Sequence, residues 1–187
     1  MCALKYDVIY ADPPWSYSFS KSKSRAIESH YKTMKVADIC NMAVPSAENS
    51  VLYLWATAPK LLDAIKVMSS WGFTYKTNCV WDKRLLGMGY WFRGQHELLL
   101  VGVKGKFSPP APPLRLGSVF SIKRTRHSKK PDYIRDCISS WFCNANKLEL
   151  FARSKAHGWH SWGNEINSDI KLSAQETIVS GLTSYNT

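Results

Sequence analysis

Nowhere in its 187 residues does the chain hold an apolar run approaching the roughly 20 residues that a membrane-spanning helix needs. No membrane partner is expected. The opening Met1-Cys2-Ala3-Leu4-Lys5 passes straight into a strand-like segment and leaves no room for a secretory signal, which predicts a cytoplasmic protein. The five cysteines, Cys2, Cys40, Cys79, Cys137 and Cys143, are an odd set without a C-x-x-C pair, which argues against a disulfide framework and against a zinc site. His157 and His160 stand three apart but lack further cysteine or acidic ligands at suitable spacing, so no metal is expected. There is no internal repeat and no early G-x-G motif. Acid is scarce as well: between Lys104 and Arg135, nine basic residues face Asp132 alone.

The remaining composition describes a globular protein. At 45% hydrophobic and 13% aromatic, the chain has enough apolar material for one real core. One domain is expected over residues 1–166, with a polar, weakly patterned tail at 167–187. The net charge of +11 is concentrated in the stretch just described and in a second run, Lys21, Lys23, Arg25, Lys32 and Lys35 against Glu28. A charge run is often only a solvated face. Two such runs around one aromatic-bearing motif suit a polyanion whose phosphates are clamped while a base enters a pocket.

Hydrophobic patterning predicts alternating strands and helices. Near-continuous apolar strands are expected at Tyr6 to Ala11, Ser50 to Ala56, Thr74 to Trp81, Gln95 to Val103 and Lys147 to Phe151. Helices are expected at Lys35 to Met42, at Pro59 to Trp71 with a stripe of Leu61, Leu62, Ile65, Met68 and Trp71, and at Pro131 to Trp141. Strands of this kind separated by helices imply an α/β domain with a mainly parallel sheet flanked by helices. Lys83 to Gly94 combines glycines, aromatics and arginines as a substrate-gating loop would, and the four prolines between Gly105 and Ser118 predict an extended surface insertion.

Asp12-Pro13-Pro14-Trp15 ends the first strand, at the edge where open α/β sheets bind ligands. Taken alone, such a tetrapeptide is also an ordinary turn. Its chemistry nevertheless matches one task. An exocyclic amine on adenine or cytosine is a poor nucleophile because its lone pair is delocalised into the ring. The Asp12 carboxylate and the Pro13 carbonyl can each accept an N–H bond and return electron density to that nitrogen. Proline restricts the residue before it to extended conformations, so Pro13 and Pro14 make the acceptors rigid. An aromatic at Trp15 or Tyr17 can stack on the base.

These residues, with Tyr31-Lys32-Thr33-Met34, Val51 to Trp55, Trp81-Asp82-Lys83, Glu97 to Gly105, His127 to Asp132, Leu148 to Arg153, Trp159 and Trp162 to Glu165, occur in one order. In that order the chain resembles the MT-A70-like adenine methyltransferases, typified by the catalytic subunit of the messenger-RNA N6-adenosine methyltransferase and including DNA-modifying bacterial and phage members. The resemblance covers Tyr6 to Glu165. It implies a Rossmann-like S-adenosylmethionine-dependent methyltransferase fold in permuted (beta-class) motif order, in which the main cofactor strand comes late, at Leu148 to Phe151.

By position, the resemblance implies that Asp12, Pro13, Pro14 and Trp15 are catalytic and that Asp12 and Pro13 also face S-adenosyl-L-methionine. It implies that Lys130 meets the donor's carboxylate, that Phe151 packs near its adenosine, that Arg153, Asn164 and Glu165 lie around its ribose and adjacent polar atoms, and that Glu149 also binds the cofactor. Trp15, Tyr17, Tyr31, Lys83 and Arg93 are the expected substrate contacts. The implied partner is nucleic acid, DNA ahead of RNA, in a bacterium or phage-infected cell, with a homodimer as one assembly left open. An RNA adenosine methyltransferase, a cytosine-amine or protein-amide methyltransferase and a non-catalytic nucleic-acid-binding relative remain as alternatives.

Overall fold

The computed structural model describes residues 4–17, 33–89, 91–124 and 129–173. Within them the chain runs β1 (Tyr6–Ala11), α1 (Val36–Cys40), β2 (Ser46–Ala56), α2 (Leu61–Ser70), β3 (Thr74–Asp82), β4 (His96–Lys104), β5 (Val119–Ser121), α3 (Asp132–Trp141), β6 (Lys147–Leu150) and β7 (His160–Trp162). Short 3-10 turns precede α2 at Ala58–Lys60 and β5 at Pro112–Leu114. The strands form one sheet in the order β5-β3-β4-β2-β1-β6-β7.

The pairs β1·β2, β1·β6, β6·β7 and β3·β5 are parallel, whereas β4 runs antiparallel to both β2 and β3. The expected mainly parallel α/β sheet is present, with one reversed strand. The connection between β3 and β4 holds no helix among its described residues and folds back as a hairpin, so the two strands pair antiparallel. The reversal has a functional consequence. Six strands deliver their carboxyl ends to one edge of the sheet, and β4 delivers its amino end there. Late strand β6 lies directly beside β1, with Ile9 opposite Leu148 and Ala11 opposite Leu150, which is the neighbourhood the permuted motif order requires.

Alternating side chains divide the core in two. Ile9, Ala11, Leu52, Leu54, Leu100, Leu148 and Leu150 face α1 and α2. Val8, Tyr10, Val51, Tyr53, Trp55 and Leu99 face the opposite side, where Ile134 and Ile138 of α3 cover them. Buried indoles keep their N–H groups satisfied: Trp55 donates to the Tyr10 hydroxyl (2.6 Å), Trp71 to the Ile39 carbonyl (2.8 Å) and Trp81 to the Ile122 carbonyl (2.8 Å). Gly102 in β4 lies against α2, where an added Cβ would stand 2.6 Å from the Met68 sulfur.

Several expectations need correction. Helix α2 buries Ala64, Val67 and Met68, while Leu62 is 82% exposed and Leu61 is also exposed. The buried line lies a fraction of a turn from the predicted stripe, because α2 starts only after a 3-10 turn and docks through Ala64 and Val67. Strand β2 begins at Ser46, and β5 and β7 are three-residue strands too short to leave a period in the sequence. Phe151, expected as the last residue of its strand, lies just beyond β6 with φ 62°, which turns the chain there. The described part of the tail docks on the domain: Ile170 and Leu172 pack against the α1/α2 core, Ala43 N–H donates to the Ser173 carbonyl, and the Asp169 carboxylate pairs with Lys155 and accepts the Ser161 N–H.

Leu52 is wholly buried under α2, so Leu52→Ala is expected to cost about 2–5 kcal/mol in urea unfolding. Leu62→Ala, at an exposed position of that helix, should stay within about 0.5 kcal/mol of the parent.

Candidate active site

The tetrapeptide is held by backbone bonds on both sides. Trp15 N–H donates to the Pro13 carbonyl (2.9 Å) and Met34 N–H to the Pro14 carbonyl (2.9 Å), fixing the turn against a short bridge between Trp15 and Met34. The Pro13 carbonyl keeps a second lone pair, the one a substrate N–H can use. The Trp15 indole is buried in the α1/α2 core and donates to the Trp55 carbonyl (3.1 Å), so it forms a wall. Tyr17 is the more accessible ring. Its hydroxyl meets the Thr57 hydroxyl (2.6 Å), and Lys60 Nζ lies 5.1 Å from its centroid.

Asp12 is the meeting point of a line of alternating charges. Lys130 Nζ donates to both Asp12 oxygens (2.8 and 2.7 Å) and stands 3.2 Å from Glu97 Oε2, while Lys83 Nζ stands 3.4 Å from Glu97 Oε1. Antiparallel β4 supplies Glu97, the loop after β3 supplies Lys83, and the segment before α3 supplies Lys130. The Asp12 side chain is 26% exposed and that of Lys130 12%. Burial pushes the Asp12 carboxyl above its ordinary value, and the Lys130 charge opposes the rise. Burial disfavours the Lys130 ammonium, yet the Asp12 and Glu97 carboxylates outweigh it and hold the amine protonated to higher pH than usual. Trp55 adds a ring face 5.6 Å from Lys130 Nζ.

Two clefts meet at this centre. One is lined by Tyr10, Asp12, Lys130, Pro131, Arg135, Glu149, Phe151, Arg153 and Ser154. The other is lined by Asp12, Pro13, Pro14, Trp15, Tyr17, Trp55, Thr57, Glu97, Lys130 and Arg153. Asp12, Lys130 and Arg153 belong to both. The clefts are narrow, about 60 and 110 Å³, so an occupant of either also uses the open surface above it. A roomier apolar groove of about 630 Å³ lies between β3, β4, α3 and the proline-rich insertion, but no acid or nucleophile in its lining is tied to Asp12.

In the first cleft Glu149 is buried and accepts from Arg135 (3.0 Å), which also bonds Asp132 (2.8 Å). Burial raises the Glu149 carboxyl and Arg135 counters it. The buried Arg135 Nε has no hydrogen-bond partner among the described residues. A flat ring at Phe151, the Glu149 carboxylate and the Lys130 ammonium fit a ligand that combines an aromatic base, hydroxyls and a carboxylate.

The pattern that defines the MT-A70 family matches residues 6–165. The chain belongs to the MT-A70 family. It is a methyltransferase, and its reaction therefore consumes a methyl donor. It is 36% identical over 195 residues to the Type II methyltransferase M.MunI of Mycoplasma sp, covering 93% of this chain and 84% of that protein. It is 29% identical to the N(6)-adenosine-methyltransferase MT-A70-like protein of Arabidopsis thaliana and to the N(6)-adenine-specific methyltransferase METTL4 of Mus musculus. These matches cover 87% and 88% of this chain but only 24% and 38% of the plant and mouse proteins.

Among the expected site residues of this MT-A70 member, the fold brings together Asp12, Pro13, Pro14, Trp15, Tyr17, Lys130, Glu149, Phe151 and Arg153. Lys83 joins through Glu97. Asn164 and Glu165 are exposed and line neither cleft, although Glu165 reaches Arg153 Nε at 3.5 Å. Arg93 sits on the β3–β4 loop and donates to the Gly87 carbonyl. Tyr31 lies outside the described residues. His160 Nδ1 is engaged by the Tyr6 hydroxyl at 2.6 Å. Sequence reasoning assigned no site role to Glu97, Arg135 or Thr57. A signal existed for Arg135, because a glutamate between Leu148 and Leu150 in a buried strand needs a cation.

Removing the Lys130 charge removes the influence that lowers the Asp12 carboxyl, so Lys130→Met should raise the pH at which Asp12 loses its proton. The expected result is an upward shift of the Asp12 carboxyl titration, followed by carbon NMR with labelled aspartate. An unchanged midpoint would show that the pair is not coupled.

Proposed function

We propose that the protein transfers the methyl group of S-adenosylmethionine to the exocyclic N6 amine of adenine, in DNA. The observation that supports this reading is the junction of the two clefts at Asp12, Lys130 and Arg153, with a carboxylate and a rigid main-chain acceptor between them; we read one cleft as the donor site and the other as the base site.

When bound, the donor supplies an electrophilic methyl on a sulfonium. The chain's own residues do the rest. Phe151 would give the donor's adenosine a ring to pack on, Arg153 would offer donors to its oxygens, and Lys130 would face its carboxylate. Asp12 and the Pro13 carbonyl accept the two N–H bonds of the adenine amine, so its lone pair points away from the ring plane. As the N–C bond forms and the S–C bond breaks, positive charge grows on nitrogen, and one such preorganised acceptor is worth roughly a hundred- to a thousandfold. A proton then leaves the nitrogen to Asp12 or water. Tyr17, backed by Thr57 and Lys60, is the ring best exposed to stack on the base.

Adenine is favoured by the names of the relatives, two of which specify adenine or adenosine N6. DNA is favoured because the relative of matching length is a Type II methyltransferase, whereas the longer plant protein is named for adenosine. This reading carries with it a cytoplasmic site of action.

Asp12→Ala is expected to abolish methyl transfer while leaving S-adenosylmethionine binding, measured by calorimetry, largely intact. Nucleosides from the DNA and RNA of cells expressing the protein, digested and resolved by mass spectrometry, should show N6-methyladenine in DNA. Methylcytosine, or a mark confined to RNA, would replace the proposed substrate.

A further inference from the structure

The loop between β3 and β4 holds a concentrated apolar surface. Trp91 is 94% and Phe92 90% exposed, and Met88 and Leu86 are exposed beside them. Large rings standing in water at one tip mark a contact surface, because exposed apolar residues are ordinarily scattered.

This tip is a braced hairpin. Lys83 N–H donates to the Gln95 carbonyl (2.9 Å), Gly87 N–H to Gly94 (2.8 Å) and Gly94 N–H to Met88 (3.1 Å), while the Arg93 side chain closes on the Gly87 carbonyl (3.0 Å). Asp82 at its base accepts from Arg84 N–H, the Gln95 amide and the Ser121 hydroxyl, each at 2.9 Å. Gly89 admits no side chain, since a Cβ there would run into the Phe92 carbonyl. The stem is tied to the reacting centre, as Lys83 and Lys130 share Glu97 and Lys130 holds Asp12.

Charge selects the occupant. Residues 83–94 contain Lys83, Arg84 and Arg93 and no acid. Lys123, Arg124, Lys129 and Lys130 line a cleft at the loop's stem with Trp81 and Ile122, against a single acid, Asp132, which pairs with Lys129. A second copy would oppose one cationic tip with another. A nucleic-acid duplex offers phosphates for the basic rim and stacked bases for the rings. Apolar side chains that enter base steps in this way unstack them, and an enzyme acting on a paired base must take it out of the helix.

Resting on the substrate reading above, we propose that Trp91 and Phe92 form a wedge that enters duplex DNA and holds open the space left by the extruded adenine. The wedge is needed for paired DNA and dispensable for unpaired strands.

The test uses the full chain, tritiated S-adenosylmethionine and genomic DNA free of adenine methylation, supplied native or heat-denatured. The Trp91→Ala/Phe92→Ala variant is expected to lose about tenfold or more of its labelling of native DNA and to stay within about twofold of the parent on denatured DNA. Trp91→Phe should retain most duplex activity, and Leu62→Ala, an exposed apolar change elsewhere, should alter neither. Equal losses on both forms, no loss on either, or a parent that labels only denatured DNA would overturn the wedge. So would a change in sedimenting mass in the double variant, because the tip would then join copies of the chain. A parent that labels neither DNA form would remove the DNA reading itself, an outcome visible before any variant is compared.

Discussion

The ion pair between Asp12 and Lys130 organises this site, because each member comes from a different part of the chain and burial disfavours the charge of each. Asp12 directly follows β1, Lys130 precedes α3, and Glu97 lies near the start of β4. Burial raises the Asp12 carboxyl and the Lys130 charge opposes the rise, while the Asp12 and Glu97 carboxylates hold Lys130 protonated to higher pH than usual. The pair therefore favours the charged form of both members. Partly buried pairs of this kind add little net stability, since desolvation offsets most of the attraction. The fold supports the pair, and the return is chemical.

A sheet with one reversed strand makes this arrangement possible. Ligand sites in parallel sheets form where strand carboxyl ends converge, and here β1, β2 and β6 bring Asp12, Thr57 and Phe151 to a common edge. A fully parallel sheet would leave the acid at the start of β4 on the opposite edge. Antiparallel β4 carries Glu97 to the active edge, and its connection to β3 projects Trp91 and Phe92 beyond it. One topological feature thus supplies both the second carboxylate for Lys130 and the apolar tip.

Electrostatics at two scales serve the same end. Inside, cations and carboxylates alternate, so each local charge is matched: Lys83 with Glu97, Glu97 with Lys130, Lys130 with Asp12, and separately Arg135 with Glu149. Outside, the excess is positive, with net charge +11 on the whole chain. The matched interior leaves little net charge at the centre, while the basic exterior suits a polyanion, whose binding would be sensitive to salt.

What could be read in the amino-acid sequence was whatever short-range order encodes. The apolar runs of β1, β2, β4 and β6 declared themselves because strand burial on both faces is written residue by residue. Asp12 to Trp15 declared itself because its rigidity lies in adjacent prolines. The Lys130 and Phe151 neighbourhoods were recognisable only through ordered resemblance. Tertiary structure alone decided the direction of β4 and hence the role of Glu97. It also decided the burial of the Trp15 indole, the pairing of Arg135 with Glu149 and the exposure of Leu62. Each depends on residues far apart in sequence reaching one point, and a buried charge finds its partner through the packing of whole elements, which no local pattern records.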